Sequence, residues 1–87
     1  MKKIYILTIV SLEADGCLSF DSLVYKTYDE AESFGNKLLD EWVAEHCEED
    51  ENGELTGVNV TRGTYFAEAM STYSIAEFDY NISEFEV

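Results

Sequence analysis

Residues 27–47 read TYDEAESFGNKLLDEWVAEHC, and this stretch decides the fold. Thr27-Tyr28-Asp29-Glu30 fits a capping box. In that motif the Thr27 hydroxyl accepts from the Glu30 amide while the Glu30 side chain reaches back to the Thr27 amide. Asp29 and Glu30 also suit the positive end of a helix. From there Ala31, Phe34, Gly35, Leu38, Leu39, Trp42, Val43 and His46 recur at spacings of three and four, which is one helical face. A glycine in a helix interior costs about 1 kcal/mol against alanine, so Gly35 predicts a close approach to a strand. Asp29, Asp40, Glu41 and Glu45 fall outside the apolar stripe. The stretch reads as one amphipathic helix that frays or ends between His46 and Asp50.

On either side the period changes to two. Residues 3–12 form a strand with Ile4, Ile6, Val10 and Leu12 on one face and Tyr5, Leu7 and Ile9 on the other. Apolar residues on both faces predict a central strand, covered on two sides or partly covered by another subunit. Asp15-Gly16 is a hairpin signal, because glycine accepts positive φ. Residues 18–25 form the returning strand, with Phe20 and Val24 opposite in face to Leu23 and Tyr25. After the helix, Leu55, Val58 and Val60 begin another strand-like run that Gly63 interrupts. Residues 64–70 fit either a strand or a short helix. Residues 73–82 read as a strand with Ala76, Phe78, Tyr80 and Ile82 on one face. The order is β-β-α-β-β with room for one more strand. It predicts an α+β fold: an antiparallel sheet of four or five strands with one helix packed on one face.

A chain of 87 residues makes one domain, spanning 1–87. Its hydrophobic fraction of 46% can build a core and argues against disorder. Nineteen acids against five bases give a net charge of −14. Such a surface repels nucleic acid and anionic membrane, both of which need Lys and Arg. It attracts basic proteins and divalent cations. Cys17 and Cys47 are too few for a disulfide framework and read as free thiols in a reducing cytoplasm. Met1-Lys2-Lys3 before IYILTIVSL resembles the start of a signal peptide. The run is short, however, and Glu13 and Asp15 follow it with no small-residue cleavage site. No stretch is long enough to span a membrane.

The acidic run is the one biased segment. Outward acids recur over successive turns from Asp29 to Glu49, and Asp50, Glu51 and Glu54 extend the series. Acids at a helix C-terminus oppose the macrodipole by about 0.3–1 kcal/mol each, so helix stability does not account for Glu45, Glu48 and Glu49. Carboxylates at i, i+3 and i+4 lie about 5–6 Å apart at Cβ. A ladder with that spacing can occupy a Lys- and Arg-lined groove made for phosphates. The same run also puts Glu48, Asp50, Asn52 and Gly53 where a calcium loop wants its first, third, fifth and sixth positions. It lacks the initial Asp, and Asn59 stands where a bidentate Glu belongs, so it reads as a hairpin-like turn and no metal site is assigned.

Other constellations carry less. Adjacent helical residues point about 100° apart, so His46 and Cys47 do not make a nucleophile and base. One Arg, Arg62, beside Tyr65 and Phe66 cannot hold a phosphate backbone in so acidic a chain. No phosphate loop, dinucleotide fingerprint or nucleophile elbow is present. The chain reads as non-enzymatic, with no cofactor. Its 12 Phe, Tyr and Trp residues exceed what one helix covers. Some therefore belong on an exposed sheet face that either binds protein or is buried in a homodimer.

In size, charge and β-β-α-β-β order the chain resembles small acidic proteins of phages and mobile elements, including anti-CRISPR proteins and other nucleic-acid mimics. The resemblance implies stoichiometric binding to a host nucleoprotein or nuclease, with acids replacing phosphates; it carries no individual residue. From the charge pattern itself the expected contact residues are Asp40, Glu41, Glu45, Glu48, Glu49, Asp50 and Glu51. The expected partner is a basic protein, such as a nucleic-acid-binding protein or nuclease complex. Solubility alone is the competing explanation of the same charges.

Overall fold

The computed structural model describes residues 2–87. Strand β1 (Lys3–Leu12) turns into β2 (Leu18–Tyr25), and helix α1 (Tyr28–His46) follows. Then come a short ribbon of β3 (Glu48–Glu49) and β4 (Leu55–Thr56), and strands β5 (Val58–Arg62), β6 (Phe66–Ser71) and β7 (Glu77–Glu86). Five strands form one antiparallel sheet in the order β2-β1-β7-β6-β5. The α+β reading therefore holds. Helix α1 carries the chain from one edge of the sheet, β2, to the other, β5. The last strand closes the sheet by inserting between β1 and β6.

Local chemistry fixes the connections. In the first hairpin Gly16 has φ +89°, the Asp15 carboxylate accepts from the Cys17 amide at 2.9 Å, and the Glu13 amide donates to the Cys17 carbonyl at 2.8 Å. Thr27 caps α1 in extended backbone, with its hydroxyl accepting from the Glu30 amide at 3.2 Å. At the other end Cys47 is extended (ψ 158°), which stops the helix, and its amide still donates to the Val43 carbonyl at 2.8 Å.

The core lies between α1 and one sheet face. Ala31, Leu39 and Trp42 from the helix meet Leu7, Ile9, Ala67, Ala69, Phe78, Tyr80 and Ile82 from the strands. The contact is closest at Gly35: a Cβ built there would stand 3.1 Å from three atoms of the Tyr80 ring. Phe34, Leu38 and Val43 pack half-buried around this centre.

Three segments differ from the sequence expectation. Of the ambiguous residues 64–70, those from Phe66 onward resolve as strand β6, with Ala67 and Ala69 fully buried beneath the helix, and 64–65 form a bend before it. Residues 73–76 are not strand. The Ser71 and Ser74 hydroxyls accept from the Tyr73 and Ala76 amides, bending the chain so that β7 starts at Glu77. The acidic ladder does not continue along the helix to Glu49. Glu48 and Glu49 leave it and pair with Thr56 and Leu55 in the small ribbon.

The second sheet face has no covering element among the described residues. By strand alternation it carries Ile4, Ile6, Thr8, Val10 and Leu12 of β1, and Leu18, Phe20, Ser22 and Val24 of β2. It continues through Phe85, Ser83, Asn81, Asp79 and Glu77 of β7, Phe66, Glu68 and Met70 of β6, and Asn59 and Thr61 of β5. Phe20 is 71% exposed and Val24 64%. The Cα atoms span only 16 Å in their thinnest direction, the depth of one helix layer on one sheet. Among the described residues no helix is long and apolar enough to cross a membrane.

Candidate functional site

The acidic surface has two parts, a helical end and a projecting finger. Glu41 and Glu45 are exposed one turn apart on α1, with Cβ atoms about 5–6 Å apart. The chain then reverses at Cys47 into the β3–β4 ribbon, where Glu48 and Glu49 are exposed on opposite sides. The turn between the strands holds Asp50, Glu51 and Glu54, all exposed. The seven expected contact residues are thus divided between the helix end and the finger, all exposed. Only Asp40, Glu41 and Glu45 share the helix.

Two of the seven have structural duties. The Asp50 Oδ1 atom accepts from the Asn52 and Glu54 amides at 2.9 Å each. The Gly53 amide donates to the Asp50 carbonyl at 3.1 Å, and Gly53 takes φ +81°. The position resembling a calcium-loop ligand is therefore the organiser of a hairpin turn. Among the described residues no three His, Cys, Asp or Glu side chains group to hold a metal. Asp40 pairs with Arg62 at 2.9 Å, and the other arm of the same guanidinium donates to Asn36 Oδ1 at 2.7 Å. Asn36 Oδ1 also accepts from the Tyr80 hydroxyl at 2.9 Å. Arg62 therefore ties β5 to α1. The other five, Glu41, Glu45, Glu48, Glu49 and Glu51, make no side-chain hydrogen bond or ion pair among the described residues.

The finger is anchored where it leaves the sheet. Gly57 is buried with φ +94°, and a Cβ there would lie 2.7 Å from the Tyr73 ring. The Gly57 carbonyl accepts from the Thr72 amide at 2.9 Å. Beside it the His46 ring stacks on Trp42, with centroids 3.9 Å apart and planes at 15°. Its Nδ1 lies 2.9 Å from the Trp42 carbonyl. A carbonyl only accepts, so Nδ1 carries the proton and the ring closes the last helical turn. The Cys47 thiol points to the Ala44 carbonyl at 3.8 Å. His46 and Cys47 each serve the helix end.

Other acids are held by tyrosines. Tyr5 donates to Glu84, which also meets Lys3 at 3.5 Å, and Tyr28 donates to Glu32. The hydrogen bond to Glu84 pushes the Tyr5 hydroxyl above its ordinary pKa; burial and then the Glu32 bond do the same to Tyr28. Both phenols stay protonated donors at neutral pH.

Sequence reading missed the hollow of about 380 Å³ lined by Lys2, Lys3, Ile4 and Lys26. It gathers three of the five basic residues at one corner of the sheet. The signal was present only as separated lysines at the two ends of the first hairpin, and their meeting depends on the β1–β2 register. Comparison with protein-family models, curated proteins and solved structures finds no match to this chain.

Proposed function

We propose that this is a non-enzymatic binding protein whose helix end and finger engage a basic surface on a nucleic-acid-binding partner, in the manner of a nucleic-acid mimic. The observation that carries this reading is the run of five exposed carboxylates without an internal partner: Glu41, Glu45, Glu48, Glu49 and Glu51. Structural needs elsewhere in the chain are met by dedicated pairs, Asp40 with Arg62 and Asp50 with its own turn amides. A repelling row of like charges costs free energy in the isolated chain, and a Lys- or Arg-lined groove removes that cost on binding. The Thr72 amide's bond to the Gly57 carbonyl and the Asp50 turn favour a fixed placement of the finger, which lowers the entropy lost on docking.

The test is capture of basic proteins from nuclease-treated cell lysate on immobilised chain, at low and high salt, followed by competition with duplex DNA. Binding should fall steeply with salt, and DNA should compete for the partner. The variant carrying Glu45→Gln, Glu48→Gln and Glu49→Gln should stay folded and lose the capture. Undiminished capture by that variant would refute the reading.

A further inference from the structure

The uncovered sheet face is nearly neutral in a chain of net charge −14. Its strand positions carry three acids, Glu68, Glu77 and Asp79, and Lys2 and Lys26 stand at the hollow on its corner, while Lys3, which also lines the hollow, alternates onto the helix side and pairs with Glu84. The two groups sit at opposite ends. The lysines gather around Ile4, near the start of β1 and the end of β2. Glu68 faces Asp79 directly across the β6–β7 ladder, and Glu77 lies two residues along the same strand. Val10 and Phe20 lie on the same cross-sheet row as Asp79 and Glu68, and Ile6 and Val24 lie four residues nearer the lysines on the same two strands, with Phe20 and Val24 largely exposed.

Like charges directly opposite in a ladder destabilise a sheet. Burial first, then Glu77 and Glu68, raise the Asp79 carboxyl above its ordinary value. Nothing within the described chain compensates this cluster; the two ion pairs present involve other acids.

We propose that this face is the interface of a symmetric homodimer in which two sheets pack face to face and the lysine hollow of each copy receives the acidic cluster of the other. A two-fold axis midway between the two sheets, parallel to both, inclined to the strands and passing over the Leu7–Ile82 register position, brings base to acid twice. It places the apolar band of one copy on that of the other. Strand spacing and rise give a face of about 600 Å² per copy, or about 1,200 Å² in total, at the lower bound for a stable interface. Most of the net negative charge, including the helix end and finger, stays on the far side and at the rim. The inference does not depend on the proposed role of those acids.

The test is the mass of the full chain by sedimentation equilibrium over a concentration series. The expected result is twice the chain mass of 9.9 kDa. Phe20→Glu and Val24→Glu, at largely exposed positions, should give the single-chain mass with an unchanged circular dichroism spectrum. Lys26→Glu and Glu68→Lys should each weaken association at least tenfold, and the double variant should regain most of it, because the swapped pair reforms across the axis. A wild-type chain that stays at 9.9 kDa up to its solubility limit overturns the proposal. So does a dimer indifferent to both glutamate substitutions. A dimer lost on Ser22→Pro but insensitive to the charge swap would instead place the contact along the outer edge of β2, and also overturns it.

Discussion

The Tyr80 ring lies face-on to Gly35, leaving 3.1 Å where a Cβ would stand. Tyr80 is 3% exposed and its hydroxyl is held by Asn36, so the ring cannot retreat. Gly35→Ala therefore sets a gain of about 1 kcal/mol in helix propensity against overpacking of about 1–3 kcal/mol. The expected result is a net loss of roughly 1 kcal/mol in urea unfolding. A stabilised variant would show that the sheet yields at this contact.

Gly57 presents the contrasting case. Its would-be neighbour, Tyr73, is 68% exposed and can swing aside. The cost of Gly57→Ala therefore comes from its φ of +94°, about 1–2 kcal/mol for a side chain in left-handed backbone. Hydrogen exchange at the Thr72 amide, which donates to the Gly57 carbonyl, should accelerate by a factor of about ten, since 1.4 kcal/mol is tenfold in an equilibrium.

Helix polarity separates the acids of the run. Glu45 lies in the last turn of α1, where a negative charge opposes the dipole. Glu48 and Glu49 lie outside it in the ribbon. Glu45→Gln should raise stability by about 0.3–0.5 kcal/mol at low salt, and the gain should vanish in high salt. Glu48→Gln and Glu49→Gln should raise the melting temperature only by relieving like-charge repulsion, a gain smaller than that of Glu45→Gln and likewise lost in high salt.

Removing Arg62 tests the tie between α1 and β5. Its pair with Asp40 is exposed, 49% and 68% at the two side chains, so the ion pair contributes about 0.5 kcal/mol. Arg62→Ala should cost about 1 kcal/mol once the bond to Asn36 is included. Arg62→Lys should recover only part, because a single ammonium does not reproduce the two-armed contact to Asn36 and Asp40.

Asp79 sets a pH dependence. Its carboxyl titrates above the ordinary value in the folded chain, so the fold binds its proton more tightly than the unfolded chain does. Its destabilising contribution is full above the folded pKa, shrinks as pH falls through it, and is gone below the unfolded value. In a Phe20→Glu background, which keeps self-association out of the measurement, Asp79→Asn should stabilise the fold at neutral pH. The gain should disappear on acidification. Equal gains at neutral and acid pH would assign the effect to the amide itself.

The sequence by itself determined the elements whose causes are local. The Thr27 cap, the Asp15-Gly16 turn and the stripe from Ala31 to Trp42 each rest on contacts within a few residues and formed, although of the capping box only the bond from the Glu30 amide to the Thr27 hydroxyl is present among the described residues. The period of two in residues 3–12 and 18–25 fixed which side chains share a face. Tertiary structure decided what depends on distant partners. Residues 66–70 became a strand because β7 and β5 offer ladders on both sides. The acidic series broke at Cys47 because residues 48–49 found partners at 55–56. Charge alone could not sort Asp40 and Asp50, which are bound internally, from the five glutamates that are not. Nor could it gather Lys2, Lys3 and Lys26 at one corner. Capping and periodicity are written in neighbouring residues, whereas pairing across the sheet depends on a register that only the assembled chain supplies.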